Sequence, residues 1–123
     1  MLANFSNLQF IDASQNYIST LKLSLKHLKT LILSRNEFVK IPNLINFPNL
    51  EELDLSDNKV TEMKLSINQD NYINFRVLKL NNNKIDFSNQ KAQLFEFIDK
   101  LKMINNLEQL DVQDNLIDED SLN

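Results

Sequence analysis

Glycine and cysteine are both absent from the 123 residues, and histidine occurs once, as His27. The phosphate-binding turns of P-loop and dinucleotide folds need glycine where the backbone approaches the ligand, so these nucleotide sites are excluded. Without cysteine there is no disulfide, thiolate zinc site or cysteine nucleophile, and secreted domains of this size more often carry disulfides. A single histidine also leaves serine and acid/base hydrolysis with little support. We expect no enzyme activity, no cofactor and no metal.

Long apolar runs and dense basic stretches are also missing. Nowhere do 18 apolar residues follow one another, and residues 1–10 lack the basic segment and apolar run of a signal peptide. We therefore expect an intracellular protein, cytoplasmic or nuclear, that does not bind membranes. The 13 Lys and Arg residues against 17 Asp and Glu residues form no basic stripe, which argues against direct nucleic-acid binding. Only the segment from Glu108 onward has a clear net charge, which is negative.

The chain does contain an internal repeat. One eleven-position string occurs five times, with apolar residues at positions 1, 4, 6 and 11 and asparagine at position 9. Position 1 is occupied by Leu8, Leu28, Leu50, Phe75 and Leu107. Position 9 is occupied by Asn16, Asn36, Asn58, Asn83 and Asn115. This repetition predicts a single domain over residues 1–123, with repeats at about 8–27, 28–49, 50–74, 75–106 and 107–123.

The spacing within the string predicts the structure of each unit. Positions 4 and 6 alternate with polar neighbours, which is the period of a short strand with one buried face. One such unit cannot bury its own apolar face, but successive units stacked in parallel share one elongated core. The asparagine at position 9 lies where the chain turns off the strand, and its amide can satisfy backbone groups that the turn leaves unpaired. We expect all five asparagines to be buried and structural.

The connections between strands differ in length and character. From Phe38 to Leu50 an apolar residue falls at every third position, which predicts a 3₁₀-like or irregular return. In the last connection the apolar residues follow helical spacing, which predicts an α-helix near Asn89–Ile104 with Ser88 as a possible cap. We interpret Phe95 and Phe97 as core residues of this helix.

The five strings resemble those of the leucine-rich repeat family over about residues 8–118. The third unit, from Ile41 to Met63, is similar to the short 22-residue intracellular subclass. The resemblance implies an α/β solenoid of about five repeats. In such a solenoid a parallel sheet lines the concave side, short returns form the convex side, and here one convex helix lies near the C-terminal end. It also implies a non-catalytic role in binding other proteins.

Binding specificity is expected from positions that the repeat does not dictate. Side chains at positions 2, 3, 5, 7 and 8 point away from the core, off the concave face of the sheet. The candidate protein-binding residues are Phe10, Asp12, Thr30, Ile32, Arg35, Glu52, Asp54, Asp57, Val77, Lys79, Gln109, Asp111 and Asp114. Their mixture suits a protein partner, with Phe10, Ile32 and Val77 as candidate apolar anchors.

The sequence leaves open the roles of Lys79 and of the acidic residues at the C-terminal end. Lys79 either serves binding or neutralises Asp54 and Asp111, its neighbours in the position-5 column. The acidic residues at the C-terminal end, Asp111, Asp114, Asp118, Glu119 and Asp120, either steer a partner with a basic segment or form a solvated tail. They do not follow the pattern of a calcium-binding loop.

The ends of the repeat array suggest an alternative function. Only Leu2 and Phe5 are available to cover the first strand, and only Ile117 and Leu122 follow the last asparagine. An uncovered terminal repeat leaves its core and strand edge open to another protein. The alternative is therefore a structural subunit of a large assembly, of the ribonucleoprotein or axonemal type, held through its open ends.

Overall fold

Five short strands lie side by side in one parallel sheet, in the order in which they occur along the chain. The structure is a computed structural model that describes residues 5–67, 74–86, 88–104 and 106–116. The strands are β1 (Phe10–Asp12), β2 (Thr30–Ile32), β3 (Glu52–Asp54), β4 (Val77–Lys79) and β5 (Gln109–Asp111). Because each strand pairs only with its sequence neighbours, the units stack as a solenoid, and the predicted fold of five repeats is confirmed.

The strands pair in the register that the repeat alignment predicts. Phe10 lies opposite Thr30, Thr30 opposite Glu52, and the same holds for every following pair of strands. Equivalent repeat positions therefore form continuous rows across the sheet. A slip of one residue would turn every buried side chain to solvent, so the apolar residues at positions 4 and 6 hold this register.

The core lies on the face of the sheet that positions 4 and 6 share. Leu31, Leu53 and Leu78, the position-4 residues of the three middle strands, have no exposed surface. Burial decreases at both ends, where Ile11 of β1 is half-buried and Leu110 of β5 is 37% exposed. Among the described residues, the middle repeats are therefore packed on both sides and each terminal repeat on one.

The asparagine at position 9 joins each unit to the previous one. The side-chain amide of Asn58 donates to the carbonyls of Leu55 at 3.1 Å and Leu33 at 2.9 Å, and its oxygen accepts from the N–H of Phe38 at 2.9 Å. Asn36 and Asn83 have equivalent bonds, and all three side chains are buried. The predicted structural role is confirmed for these three.

The expected burial is wrong at the two ends of this ladder. Asn16 is exposed and donates only to the carbonyls of Ala13 and Ser14, because no earlier strand lies beside β1 in the described chain. Asn115 keeps the cross-repeat bonds but is half-buried, since the described chain places no strand after β5.

Position 8 has an unusual backbone conformation in every repeat. Its residues are Gln15, Arg35, Asp57, Asn82 and Asp114, with φ between 56° and 59°. This left-handed region is unfavourable for most residues other than glycine, asparagine and aspartate. In the first four repeats the position-8 N–H donates to the position-7 carbonyl of the next unit at 2.9–3.1 Å. The repeat stacking thus imposes the conformation in a chain that has no glycine.

The return between β2 and β3 agrees with its prediction. Leu44–Asn46 form one turn of 3₁₀ helix, and the side-chain oxygen of Asn43 accepts from the N–H of Ile45 at 3.1 Å. The apolar residues at every third position, Phe38, Ile41, Leu44, Phe47 and Leu50, are all buried. A three-residue period suits this turn because side chains three apart align in a 3₁₀ helix.

The return between β4 and β5 contains the predicted helix, α1 (Lys91–Lys102), which begins and ends two residues inside the expected bounds. Ser88 does not cap it, because the helix starts after Gln90 and the Ser88 hydroxyl instead donates to Asp86 at 2.6 Å. Phe97 is buried as expected. The prediction for Phe95 is wrong, since this side chain is 66% exposed.

Candidate functional site

The face of the sheet opposite the core, here called the open face, brings together the residues predicted from the sequence. Ten of them lie on the five strands at positions 3 and 5, and three follow their strands at position 8. Phe10, Thr30, Glu52, Val77 and Gln109 form the position-3 row. Asp12, Ile32, Asp54, Lys79 and Asp111 form the position-5 row. Arg35, Asp57 and Asp114 stand at the strand ends.

Carboxylates occupy alternate strands of the position-5 row. Asp12, Asp54 and Asp111 are each separated by one strand, which carries Ile32 or Lys79. Since neighbouring strands lie roughly 4.8 Å apart, the backbones that carry successive carboxylates are roughly 10 Å apart. The row is therefore a regular series of acidic groups.

Neutral donors hold these carboxylates in place. One oxygen of Asp54 accepts from the backbone N–H of Ser56 at 2.9 Å and from its hydroxyl at 2.7 Å. Asp12 accepts from the N–H of Ser14 at 3.0 Å. Hydrogen bonds from Ser14, first from its hydroxyl and then from its backbone, hold the pKa of Asp12 below its usual range. The bonds orient both carboxylates and leave them charged.

Neutral donors also orient two further carboxylates of the open face. Asp111 accepts from the side-chain amide of Gln109 at 3.0 Å. Asp57 accepts from the side-chain amide of Asn82, which belongs to the next repeat. An amide donor orients a carboxylate without cancelling its charge, so these groups also remain available to a cation.

Lys79 pairs with a different carboxylate from those expected. Its ammonium group lies 3.9 Å from Glu52, on the neighbouring strand and in the position-3 row. Within the part of the chain that the structure describes, it makes no ion pair with Asp54 or Asp111. The interpretation that Lys79 neutralises those two aspartates is therefore corrected, and the charge that it balances is that of Glu52.

The three candidate apolar anchors differ in exposure. Phe10 is 57% exposed and Ile32 is half-buried, so both present apolar surface on the open face. Val77 is only 8% exposed, and its prediction as an anchor is wrong. It lies between Glu52 and Gln109 in the position-3 row, and both neighbours have longer side chains.

Position 2 forms a charged row that contains none of the predicted binding residues. The guanidinium of Arg76 lies 3.0 Å from Glu108 and 3.9 Å from Glu51, its neighbours on either side. The signal was present in the sequence, since position 2 reads Gln9, Lys29, Glu51, Arg76 and Glu108. In this row, ion pairs hold the positive charge of Arg76 next to the negative charges of Glu51 and Glu108, at the N-terminal ends of the strands.

This geometry corresponds to a known family. Residues 26–73 match the family model for leucine-rich repeats, in two copies. The matched range contains β2 and β3 together with Asn36 and Asn58, which are the residues that join successive repeats. Residues 26–73 belong to the leucine-rich repeat family. The 22-residue subclass stays a prediction. None of the curated proteins matches the sequence.

Membership of the family indicates the general kind of function. Leucine-rich repeat domains generally mediate protein–protein interactions, and the family is typically non-catalytic. In the described residues, no group of three or more His, Cys, Asp or Glu side chains is arranged to hold a metal ion. Nor does any described helix have the length and apolar character needed to cross a membrane.

The ends of the repeat array are described only in part. Phe5 is 55% exposed, so more than half of its side chain stays in solvent rather than covering the first strand. Leu2, Ile117 and Leu122 lie outside the described residues, as do Asp118, Glu119 and Asp120 of the acidic end. Of that acidic group, the structure describes Asp111 and Asp114.

Proposed function

We propose that this protein is a non-catalytic interaction module that recruits or regulates a protein partner through its open face, which is the concave face in this family. The observation that carries the proposal is the in-register stacking of five strands. It aligns carboxylates that are held by neutral donors beside the exposed apolar surface of Phe10 and Ile32. Such a combination of charged and apolar groups is typical of protein-binding surfaces.

The charge of the open face favours a partner with a basic segment. Of the thirteen open-face residues, six are acidic and two are basic, which gives −4. The formal net charge of the whole chain is also −4, so the remaining residues carry eleven charges of each sign. All of the net charge therefore resides on the open face, where it can accelerate association with a cationic surface.

The location and the domain organisation are part of this proposal. The lack of cysteine favours an intracellular protein, cytoplasmic or nuclear. The continuous sheet from β1 to β5 supports a single repeat domain over residues 1–123. The partner is expected to contact the protein directly, without a cofactor.

The test compares two double variants of equal charge change. Asp12→Asn with Asp54→Asn removes two carboxylates from the open face, and the matched control, Glu96→Gln with Asp99→Asn, removes two exposed carboxylates from α1. The tagged proteins are used for affinity isolation from the native source at physiological and raised salt. We expect the open-face variant and high salt to release the same partner, and the control to retain it. Equal loss from both variants would contradict the proposal.

A second candidate function is a structural subunit held through the ends of the solenoid. The favouring observation is the apolar surface at the terminal repeats, where Leu116 is 60% exposed and Leu110 is 37% exposed, whereas Leu53 at the centre has no exposed surface. In the same isolation experiment this function predicts a stoichiometric, salt-resistant complex. Binding would then survive the open-face substitutions and be lost in a Leu116→Asp variant.

A further inference from the structure

The backbone conformation of Arg35 is held by hydrogen bonds to the repeats before and after it. Its N–H donates to the carbonyl of Ser56 in the next repeat at 3.0 Å. The residue before it, Ser34, accepts from the N–H of Gln15 at 3.0 Å and from the side-chain amide of Asn36 at 3.3 Å. These bonds hold φ at 57°, so Arg35 cannot relax into a more favourable region without breaking the stacking of the repeats.

Arginine is a poor choice for this conformation. Asp57, Asn82 and Asp114 are of the two residue types that, after glycine, enter the left-handed region most readily. Arginine is not one of them. The backbone therefore gives no reason for arginine at this position.

The guanidinium of Arg35 also has no structural task within the described chain. It is exposed, and no described residue accepts a hydrogen bond or an ion pair from it. Asp57 follows Arg35 in the position-8 row, but no ion pair joins the two side chains in the described chain. Lys79, the other cation of the open face, is paired with Glu52. Arg35 is thus the open-face cation whose charge is not balanced within the described chain.

We infer that Arg35 determines specificity on the open face by binding a carboxylate of an aspartate or glutamate side chain in the partner. The planar guanidinium can bind both oxygens of a carboxylate through two parallel hydrogen bonds. Arg35 belongs to the second repeat, between Asp12 of the first and Asp54 of the third. In the position-5 row Ile32 lies between Asp12 and Asp54, whereas Arg35 lies beyond the C-terminal end of β2. A segment that reaches from Asp12 over the end of β2 to Asp54 therefore carries basic, acidic and basic side chains in that order. This inference rests on the proposed function.

The experiment selects binders from a displayed library of random dodecapeptides, using the full-length protein and three variants. Arg35→Asn removes the guanidinium and relieves the strain, whereas Arg35→Lys keeps the charge and the strain. Gln15→Asn is the matched control, since it relieves the same strain in the first repeat. Affinities of the selected peptides are measured in solution, and thermal midpoints are measured for each protein.

Wild-type protein is expected to select peptides with an acidic residue between two basic ones. With Arg35→Asn the preference for the acidic residue disappears, the Kd of the best wild-type peptide rises about tenfold, and the thermal midpoint rises by about 3 °C. Arg35→Lys keeps the wild-type midpoint and weakens binding less. Gln15→Asn raises the midpoint and leaves the selected sequences unchanged.

Two results would overturn the inference while leaving the proposed function intact. One is selection of the same sequences by Arg35→Asn, and the other is a midpoint for Arg35→Asn no higher than that of wild type. Failure of the proposed function gives a different result. In that case the wild-type protein selects no peptide, or its peptides bind equally well to Asp12→Asn with Asp54→Asn, and the inference about Arg35 falls with it.

Discussion

The side-chain amide of Asn58 donates at 2.9 Å to the carbonyl of Leu33, a residue 25 positions earlier in the chain. The same side chain accepts from the N–H of Phe38 at 2.9 Å. One buried side chain of the third repeat thus satisfies two backbone groups of the second. Since an unsatisfied buried polar group costs about 1–3 kcal/mol, these bonds are important for cooperative stacking.

The variant Asn58→Ala tests this role. Loss of the amide leaves the Phe38 N–H buried without its acceptor, whereas the Leu33 carbonyl keeps its bond from Asn36, and we expect the free energy of unfolding to fall by about 1–3 kcal/mol. The control is Asn16→Ala, because Asn16 is exposed and bonds only within its own repeat. Urea unfolding followed by circular dichroism gives both values. Equal losses in the two variants would contradict the role of the cross-repeat bonds.

The repeat pattern predicted the fold well because each unit contributes the same local signals. The spacing of Leu50, Leu53 and Leu55 around Asn58 contains the strand, the buried face and the turn within eleven residues. Stacking then aligns equivalent positions, so the register of all five strands follows from the alignment of the five strings. The rows of the candidate site are predictable from the sequence for the same reason.

The incorrect predictions concern contacts between residues that are distant in the sequence. Val77 is buried, and its neighbours in the position-3 row are Glu52 and Gln109. These two residues are 25 and 32 positions away in the sequence, so no local pattern contains this contact. The partner of Lys79 depended on a diagonal contact to Glu52 rather than on its own column. Side-chain length across neighbouring strands therefore decides details that the alternation of polar and apolar residues does not encode.

Asp12 provides a prediction about pH. Hydrogen bonds from Ser14 lower its pKa in the folded state, so the folded protein binds the proton less readily than the unfolded chain. The stabilisation is fully present above the unfolded pKa of about 3.9 and is lost as the pH falls through the lower, folded pKa. We expect Ser14→Ala to raise the pKa of Asp12 toward its usual value, measured by carboxyl NMR titration. An unchanged titration midpoint would show that the Ser14 hydroxyl does not lower the pKa of this carboxylate.

Arg76 provides a prediction about salt. Its guanidinium lies between Glu51 and Glu108, and all three side chains are partly exposed, so each pair is expected to contribute less than about 1 kcal/mol. Arg76→Gln should lower the free energy of unfolding by about 0.5–1 kcal/mol at low ionic strength, and the difference should shrink in 1 M salt. The measurement is urea unfolding at both salt concentrations. A loss that does not depend on salt would assign Arg76 a packing role instead.

The two phenylalanines of α1 give the sharpest comparison between sequence pattern and packing. Phe97 lies on the buried stripe with Leu94 and is 3% exposed, whereas Phe95 is one residue removed from that stripe and 66% exposed. We expect Phe97→Ala to cost about 3–5 kcal/mol of stability, because it removes a large side chain from the core. Phe95→Ala should stay within about 0.5 kcal/mol of wild type, as is usual for surface substitutions. Both are measured by urea unfolding, and a large loss for Phe95→Ala would mean that α1 packs with a different face against the sheet.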